Sequence, residues 1–534
     1  MDKKKIVILG GGFGGIYAAM HLQKHLKGNG EYEIVIINRE NYFVYQPMLA
    51  EVVGGTVGIT DTISSLRSLI PKAKLYIREI EYVDTEKKIV VLTPKFSQKS
   101  REIKYDHLVV ALGNITDFSS ATGLHEHAMP FKNLADALTI RNHVIETVEA
   151  AAYTNDPEMK KMLLTYVVGG GGFSGTEVVA ELNDLVHRMA KSYPNIHQDE
   201  IRVMLVHSKD RLMDKELSES LGTYAGKLLQ KRGVEVRFNT RLISASPKGA
   251  LLDTKEKILS KTVISTVPSS PNPIVASLPF PQEHGKLKTN ATMQVEGSKD
   301  VWAVGDCALI PDLTKSEGKY CPPTAQYAVR EGKVLAQNIL STIHNAPLKE
   351  FRFKNLGSLG ALGHNSAVGE FFGCIKVSGL IGWFMWRTIY WSKLPGFGRK
   401  IKVAATWFLD MIVSAEPVQL KIAASQGISS LHFESGEEIF HQGDVGDYLY
   451  IIVKGKVDVL QEKDGKENAI AELGEGEFFG EMSLLNERAR TATIKCKEPV
   501  DVLAIRKQDF GVLIANFSEM REKVLETEEK RKKA

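Results

Sequence analysis

Two loops of the form G-x-G-x-x-G stand in this chain, each straight after an apolar run and straight before a helical pattern. The first is built on Gly10, Gly12 and Gly15, with Phe13 inside it, and follows Lys5-Ile6-Val7-Ile8-Leu9. The second is built on Gly170, Gly172 and Gly175 and follows Leu164-Thr165-Tyr166-Val167-Val168. In such a loop the first glycine makes a tight turn, the second lets the backbone approach a pyrophosphate, and the third lets helix and strand pack closely. The free N–H groups of the helix N-terminus then meet phosphate oxygens. Two loops in one chain predict two dinucleotides, the layout that passes a hydride from a nicotinamide to a flavin.

Other residues of chemical interest sit where such a fold would use them. The apolar strand Glu33-Ile34-Val35-Ile36-Ile37 ends at Asn38, with Arg39 and Glu40 after it. An acid is usual there, accepting from ribose hydroxyls, and Asn can accept without charge. A buried strand from Tyr105 runs into Gly113, and Val301-Trp302-Ala303-Val304 leads to Asp306 and Cys307. Asp306 either contacts a cofactor or caps the following turn, and Cys307 reads as a small buried strand-end residue. The segment Pro322 to Gly332, with Gln326 and Arg330, reads as a helix start. Glu177 follows the second loop, in a helical first turn whose dipole favours a carboxylate. In the second unit, Arg202 to Val206 ends at His207, followed by Lys209 and Arg211. Without an acid at that strand end a 2′-phosphate meets less repulsion and nearby cations could pair with it, so NADPH stays open beside NADH.

After about residue 414 the pattern turns to short strands with Gly443-Asp444, Gly446-Asp447, Lys454-Gly455 and Asp464-Gly465 between them, an antiparallel β-roll. It contains a glycine-bounded cassette, Gly480-Glu481-Met482-Ser483, followed by Arg490 and Thr491. A short helix there offers N–H groups, Glu481 can accept from a ribose hydroxyl, and Arg490 can pair with a phosphate. Thr491 could hydrogen-bond the ligand as well. Residues 505–534 read as a helical lid.

Residues 5–413 resemble the two-dinucleotide-binding flavoproteins, and the Asn41–Leu49 and Ala325–Gly332 stretches resemble type II NADH:quinone oxidoreductases. The resemblance implies an α/β fold with FAD in the first Rossmann unit and NADH, or NADPH, in the second. It implies that Asp306 bonds the ribityl–phosphate region, that Gln326 lies beside the isoalloxazine and the quinone head group, and that Glu177 lies near the nicotinamide. Arg330 stands where the family commonly has a second Gln, so a guanidinium could stabilise a reduced flavin or reach a quinone oxygen, or it could be a helix-surface residue. The cassette resembles that of cyclic-nucleotide-binding domains, which implies cAMP or cGMP as ligand. The expected domains are 1–117 with 290–350 for FAD, 118–289 for NAD(P)H, a membrane-associating segment 351–413, a linker helix 414–427, and the cyclic-nucleotide-binding domain 428–534.

The net charge of +4 on 534 residues calls for no nucleic-acid partner, and the four scattered cysteines, without a C-x-x-C pair, call for no metal site. Four of the five tryptophans fall within 383–407, near Arg399, Lys400 and Lys402. Indoles favour the lipid–water boundary and cations favour anionic head groups, so residues 380–409 are expected to lie on a bilayer through a face of Trp383, Trp386 and Trp391. Two core helices or a homodimer interface are the other uses of such a segment. No uncharged run reaches the ~18 residues of a spanning helix, and Met1-Asp2-Lys3-Lys4-Lys5 enters the first strand with no room for a leader, so the expected location is peripheral, on the cytoplasmic face of a bacterial inner membrane. Two other functions fit the same pattern. One is a sulfide:quinone-type oxidoreductase, whose chemistry wants paired cysteines near the flavin. The other is a redox-inactive sensor of a second messenger.

Overall fold

A computed structural model describes residues 3–26, 30–93, 100–116, 121–266, 269–410, 418–419, 428–444, 448–463, 466–482, 490–506 and 510. The linker 414–427, apart from 418–419, lies outside the described residues, as do Ser483 and nearly all of the 505–534 lid.

Two parallel sheets of five strands repeat one plan. In the first, the order is Val301–Ala303, His107–Val110, Lys4–Leu9, Tyr32–Asn38 and Lys74–Ile77. In the second it is Met129–Pro130, Thr262–Ser265, Thr165–Gly169, Arg202–Val206 and Val234–Arg237. The near-continuous Val and Ile runs in these strands follow from cover on both faces. Each glycine loop leaves a central strand and enters a long helix, Phe13–His25 or Phe173–Ala190. Ligands of doubly wound sheets bind outside the carboxyl ends of such strands, and the loops place both helix N-termini there. The outer strand Val301–Ala303 joins the first sheet only after the second unit is complete, which carries Asp306 back beside the first loop.

The helix Ala325–Ile343 packs along Phe13–His25, closely enough that a Cβ on Gly332 would lie 2.9 Å from Ala18 N. A meander of Gly357–Ala361, Ala367–Phe371 and Ile375–Ser378 follows, then helices Gly379–Lys393 and Phe397–Asp410. Among the described residues no helix is long and apolar enough to cross a membrane.

The tryptophan face expected in 380–409 is not there. Trp383 and Trp386 are buried at 5% and 1% exposure in the same core cluster as the first sheet, as is Trp407 at 7%, while Trp391 is half-buried and its indole N–H donates to Lys400 O at 2.7 Å. The large apolar residues left outside are Leu380, Ile381, Phe384, Phe397, Ile401, Phe408 and Leu409, each more than half exposed. The cations are partly spent as well: Lys402 pairs with Asp61 at 3.1 Å, and Arg399 bonds Thr60 O.

The last domain packs two four-stranded sheets, both wholly antiparallel. One orders Ile428–Phe433, Val500–Arg506, Tyr448–Lys454 and Phe478–Phe479. The other orders Glu438–Phe440, Thr493–Cys496, Val457–Lys463 and Lys466–Leu473. Phe433, Ile452, Val457, Val500 and Val502 fill the space between them.

Candidate functional site

Both glycine loops adopt the geometry their sequence calls for. Gly10 and Gly170 sit at φ +103° and +108°, a region only glycine enters freely, and side chains there would run into Ala111 O and Thr266 Oγ1. The strand-end residues do matching work. Gly11 N–H donates to Asn38 Oδ1 at 2.8 Å, and Gly171 N–H donates to His207 Nδ1 at 3.1 Å. Each side chain therefore fixes its own loop. His207 is buried, its Nε2 lies 3.5 Å from Asp214 Oδ1, and burial holds its pKa below the usual value. His207 stands at the strand end where an acid would meet the adenosine ribose, and its imidazole faces the loop backbone. Arg211 Nη2 donates to Asp214 O at 2.8 Å, and Lys209 is exposed.

A cavity of about 830 Å³ runs between the two units. Its wall takes Gly10, Gly12, Phe13, Asn38, Arg39, Gly113 and Asp306 from the first unit, and Ser174, Glu177 and Thr266 from the second. A Cβ on Gly12 would meet nothing within 4 Å, so the loop opens directly onto this space. Arg39 lies at the rim, paired with Glu79 at 3.6 Å and exposed. Gly305 N–H donates to Glu331 Oε2 at 2.9 Å, and burial near Asp306 pushes the Glu331 carboxyl up to about 7. Burial also raises Asp306, against the pull of Lys132, Lys286 and Asn114. Lys132 bonds Asn114 Oδ1 and is pushed down to about 8 by burial.

Glu177 stands where the cavity meets the C-terminal segment. Ala361 N–H donates to its Oε1 at 3.0 Å, and burial, with Glu51 adding to it, pushes the carboxyl up to about 8. The Trp386 indole N–H lies near enough to favour the charged form without closing a full hydrogen bond. Glu51 is itself buried and lies 3.8 Å from Arg387 Nη2. That guanidinium stacks on Trp383 at 4.1 Å and on Trp407 at 4.7 Å. A second, largely apolar cavity of about 390 Å³ opens between the two C-terminal helices against these same side chains.

Gln326 and Arg330 lie off the main cavity. Gln326 Nε2 donates to Asn355 Oδ1 at 2.8 Å, tying its helix to the meander, while Pro323, Ala325 and Ala328 beside it reach the wall. Arg330 donates to Gln326 O at 2.8 Å and stacks on Phe353 at 4.1 Å.

In the last domain Glu481 and Arg490 are buried. Arg490 donates to Gly480 O and Tyr448 O, both at 2.8 Å, and lies 4.0 Å over the Phe440 ring. Gly480 is at φ +89°, and a Cβ there would meet Arg490 Nη1 at 2.5 Å, so only glycine admits the guanidinium. Thr491 Oγ1 lies 3.7 Å from Met482 Sδ.

Sequence reasoning missed several of these residues. Glu51, inside Leu49-Ala50-Glu51-Val52-Val53, was visible as a charge within an apolar run. Arg387 was visible in the same way within 380–391, while Lys132 and Glu331 carried no local signal, because only the folded chain brings them to the cavity. The contact between the last domain and the second unit was equally hidden. His127 Nε2 lies against both His432 N, at 2.9 Å, and His432 O, and Ser246 Oγ donates to Glu437 Oε1 at 2.8 Å; within the last domain, His432 Nδ1 lies 2.6 Å from Asp501 Oδ1.

Known proteins share this arrangement. Residues 4–332 match the pyridine nucleotide-disulphide oxidoreductase family, 355–414 the NDH2 C-terminal domain, and 430–517 the cyclic nucleotide-binding domain. A type II NADH:quinone oxidoreductase of Staphylococcus epidermidis is 27% identical over 378 residues, 70% of this chain and 90% of that protein. A probable NADH dehydrogenase of Dictyostelium discoideum is 27% identical over 429 residues, 77% of this chain and 90% of that protein. Among solved structures, NDH2 of Plasmodium falciparum in complex with NADH superposes with a TM-score of 0.72 at 19% identity, covering 78% of this chain and all of that one. The sulfide:quinone oxidoreductase of Aquifex aeolicus superposes with 0.59 at 18% identity, covering 79% and 98%. With its family model spanning more than half its length, the chain belongs to the pyridine nucleotide-disulphide oxidoreductases, as an enzyme of the type II NADH:quinone oxidoreductase kind with a cyclic nucleotide-binding domain at its C-terminal end.

Proposed function

We propose that the chain is a non-proton-pumping, FAD-dependent NADH:quinone oxidoreductase, held peripherally on the cytoplasmic face of a bacterial inner membrane and regulated by a cyclic nucleotide. The observation that carries the redox reading is the single 830 Å³ cavity in which the first glycine loop and Asp306 face Ser174, Glu177 and Thr266 of the second unit. The open space over Gly12 suits a pyrophosphate. Bound FAD would supply the two-electron relay between nicotinamide and quinone. The chain's own residues bind and position. Gly10, Gly12 and Gly15 with the following helix hold phosphates, Asp306 accepts from ribityl hydroxyls, and Gly170, Gly172 and Gly175 hold the donor. Glu177, with its raised pKa, carries a proton at neutral pH at the edge of the cavity, as quinol formation requires.

Membrane contact is assigned to the apolar side chains that Gly379–Lys393 and Phe397–Asp410 leave exposed, Ile381 and Phe384 foremost. The sulfide:quinone alternative is disfavoured by the cysteines. All four are free, and burial pushes the Cys307 and Cys321 thiols up to about 11 and about 12, which suits no sulfur relay.

Cyclic-nucleotide binding is supported by the buried Arg490 and Glu481 behind Gly480. Coupling is supported by the bond from His432 to His127, because five residues further along the chain Lys132 lines the redox cavity. NADH-dependent reduction of a water-soluble quinone tests the enzyme. Calorimetry with cAMP and cGMP tests the ligand, and turnover on vesicles with and without it tests the coupling. No heat at millimolar nucleotide removes the sensor; binding with unchanged turnover removes only the coupling.

A further inference from the structure

Quinol formation draws one proton from water in each turnover. The hydride of NADH brings two electrons and one proton, while the quinone takes two electrons and two protons. Glu177 lines the cavity that the substrates fill, so with them seated its proton is replaced through the protein. Behind it stands a row of acids. The helix Phe173–Ala190 carries Glu177, Glu181 and Asp184 four and three residues apart, hence on one face. The helix Leu49–Gly54 packs on that face, close enough that a Cβ on Gly54 would overlap Glu181 Oε2, and Arg188 Nη2 donates to Gly54 O at 2.5 Å. Glu51 of this short helix is buried and acts by its charge on both Glu177 and Glu181. Glu181 is itself 4% exposed. Burial, with Asp184 and Glu51 adding to it, keeps its carboxyl well above the usual carboxylate range against Arg188 and Arg232, so it is protonated at neutral pH. The row ends at water. The Asp184 side chain is 20% exposed, pairs with Arg232, and accepts from His364 N–H at 2.8 Å, and His364 is exposed.

We propose that Glu181 relays protons from the exposed end of this face, at Asp184 and His364, to Glu177. Glu177 gives a proton to a quinone oxygen and takes one from Glu181, which regains it from water beside Asp184. The net uptake is one proton per quinol, as the overall reaction requires. Glu181 touches neither substrate nor cofactor in this scheme and acts through Glu177. Two buried acids beside a third can trade one proton at small cost, because the charge left on any of them is close to that on its neighbour. The inference rests on Glu177 being the proton donor to the quinone.

Glu181→Gln keeps the size and removes the titrating proton. Bleaching of the bound flavin by NADH takes no proton from water, so its stopped-flow rate in this variant is expected to match wild type. Turnover with a water-soluble quinone is expected to fall about tenfold or more, and added formate, a small weak acid, is expected to restore most of it. Glu181→Asp, which keeps a titrating group, should retain most of the turnover. Asp184→Asn, at the exposed end, should show the same acid-relieved loss in smaller measure, and it decides the question if Glu181→Gln does not fold. Unchanged turnover in Glu181→Gln, a loss shared equally by flavin bleaching, or a loss that formate does not relieve overturns the relay. Glu177→Gln separates the two claims. If it keeps full turnover, the donor role of Glu177 falls and the relay with it. If it loses turnover while Glu181→Gln keeps it, only the relay falls.

Discussion

A carboxyl held at about 8 keeps its proton through neutral pH, and Glu177 is in that condition because it is buried near a second buried acid, Glu51. Its proton leaves as pH rises through that value, so quinone turnover is expected to decline above about pH 8. Glu177→Gln should lower turnover and erase that alkaline limb in a pH–kcat profile; a limb that survives the substitution assigns it to another group. At Gly12 the requirement is space. Gly12→Val puts a side chain where a pyrophosphate must pass, and flavin content of the purified variant, read from its absorbance, is expected to fall to a small fraction of wild type. Retention of full flavin would mean that the first loop holds something else. The glycines were legible because their spacing encodes backbone geometry directly. His207 was legible as a position, since the missing acid was plain, but its bond to the Gly171 N–H was not, because only the folded loop brings the two together.

The helices Gly379–Lys393 and Phe397–Asp410 show how an element's composition can be read correctly and its orientation wrongly. Clustered tryptophans marked the segment as special, yet Trp386 is 1% exposed and packs on Tyr390 at 4.8 Å between ring centres. Periodicity cannot tell a helix face that meets lipid from one that meets protein when both are apolar. Two separate outcomes follow. Trp386→Ala removes a buried indole and should destabilise the fold by about 3–5 kcal/mol, visible as a lowered thermal midpoint. Ile381→Asp with Phe384→Asp, on the 69% and 53% exposed positions, should leave the midpoint nearly unchanged and abolish co-sedimentation with anionic vesicles. Undiminished sedimentation of that double variant would remove this face from the membrane. Six of the ten strands of the two parallel sheets, in contrast, were readable, because Val and Ile runs between turn residues leave few other structures open to them, whereas Lys74–Ile77, Met129–Pro130, Val234–Arg237 and Thr262–Ser265 are too short or too mixed to stand out.

At the scale of the whole molecule, the docking of the last domain depends on a neutral imidazole. Burial lowers His127 from 6.5 to about 4, against the raising effect of its contact with the His432 backbone and with the charges of His432 and Lys261 adding to the lowering. Around this contact stand Glu434 and Asp501, which face His432, and Glu437, which takes the Ser246 hydroxyl. A lowered folded pKa makes the contact fully present above the free value of 6.5 and progressively weaker as pH falls toward about 4. Hydrogen exchange of the 428–433 amides, corrected for the intrinsic rate, should show that loss, and His127→Ala should show it already at neutral pH. Protection independent of both would mean that the domains meet elsewhere. The order of units could be read along the chain, but the face joining them could not, since neither partner surface has a periodic or compositional mark. The central claim, electron transfer from NADH through a bound flavin to a quinone, is tested most directly by one anaerobic spectrum series on the purified protein. The expected result is a yellow protein whose visible absorbance bleaches on adding NADH and returns on adding a soluble quinone. A colourless protein, or a flavin that NADH leaves unbleached, would contradict it.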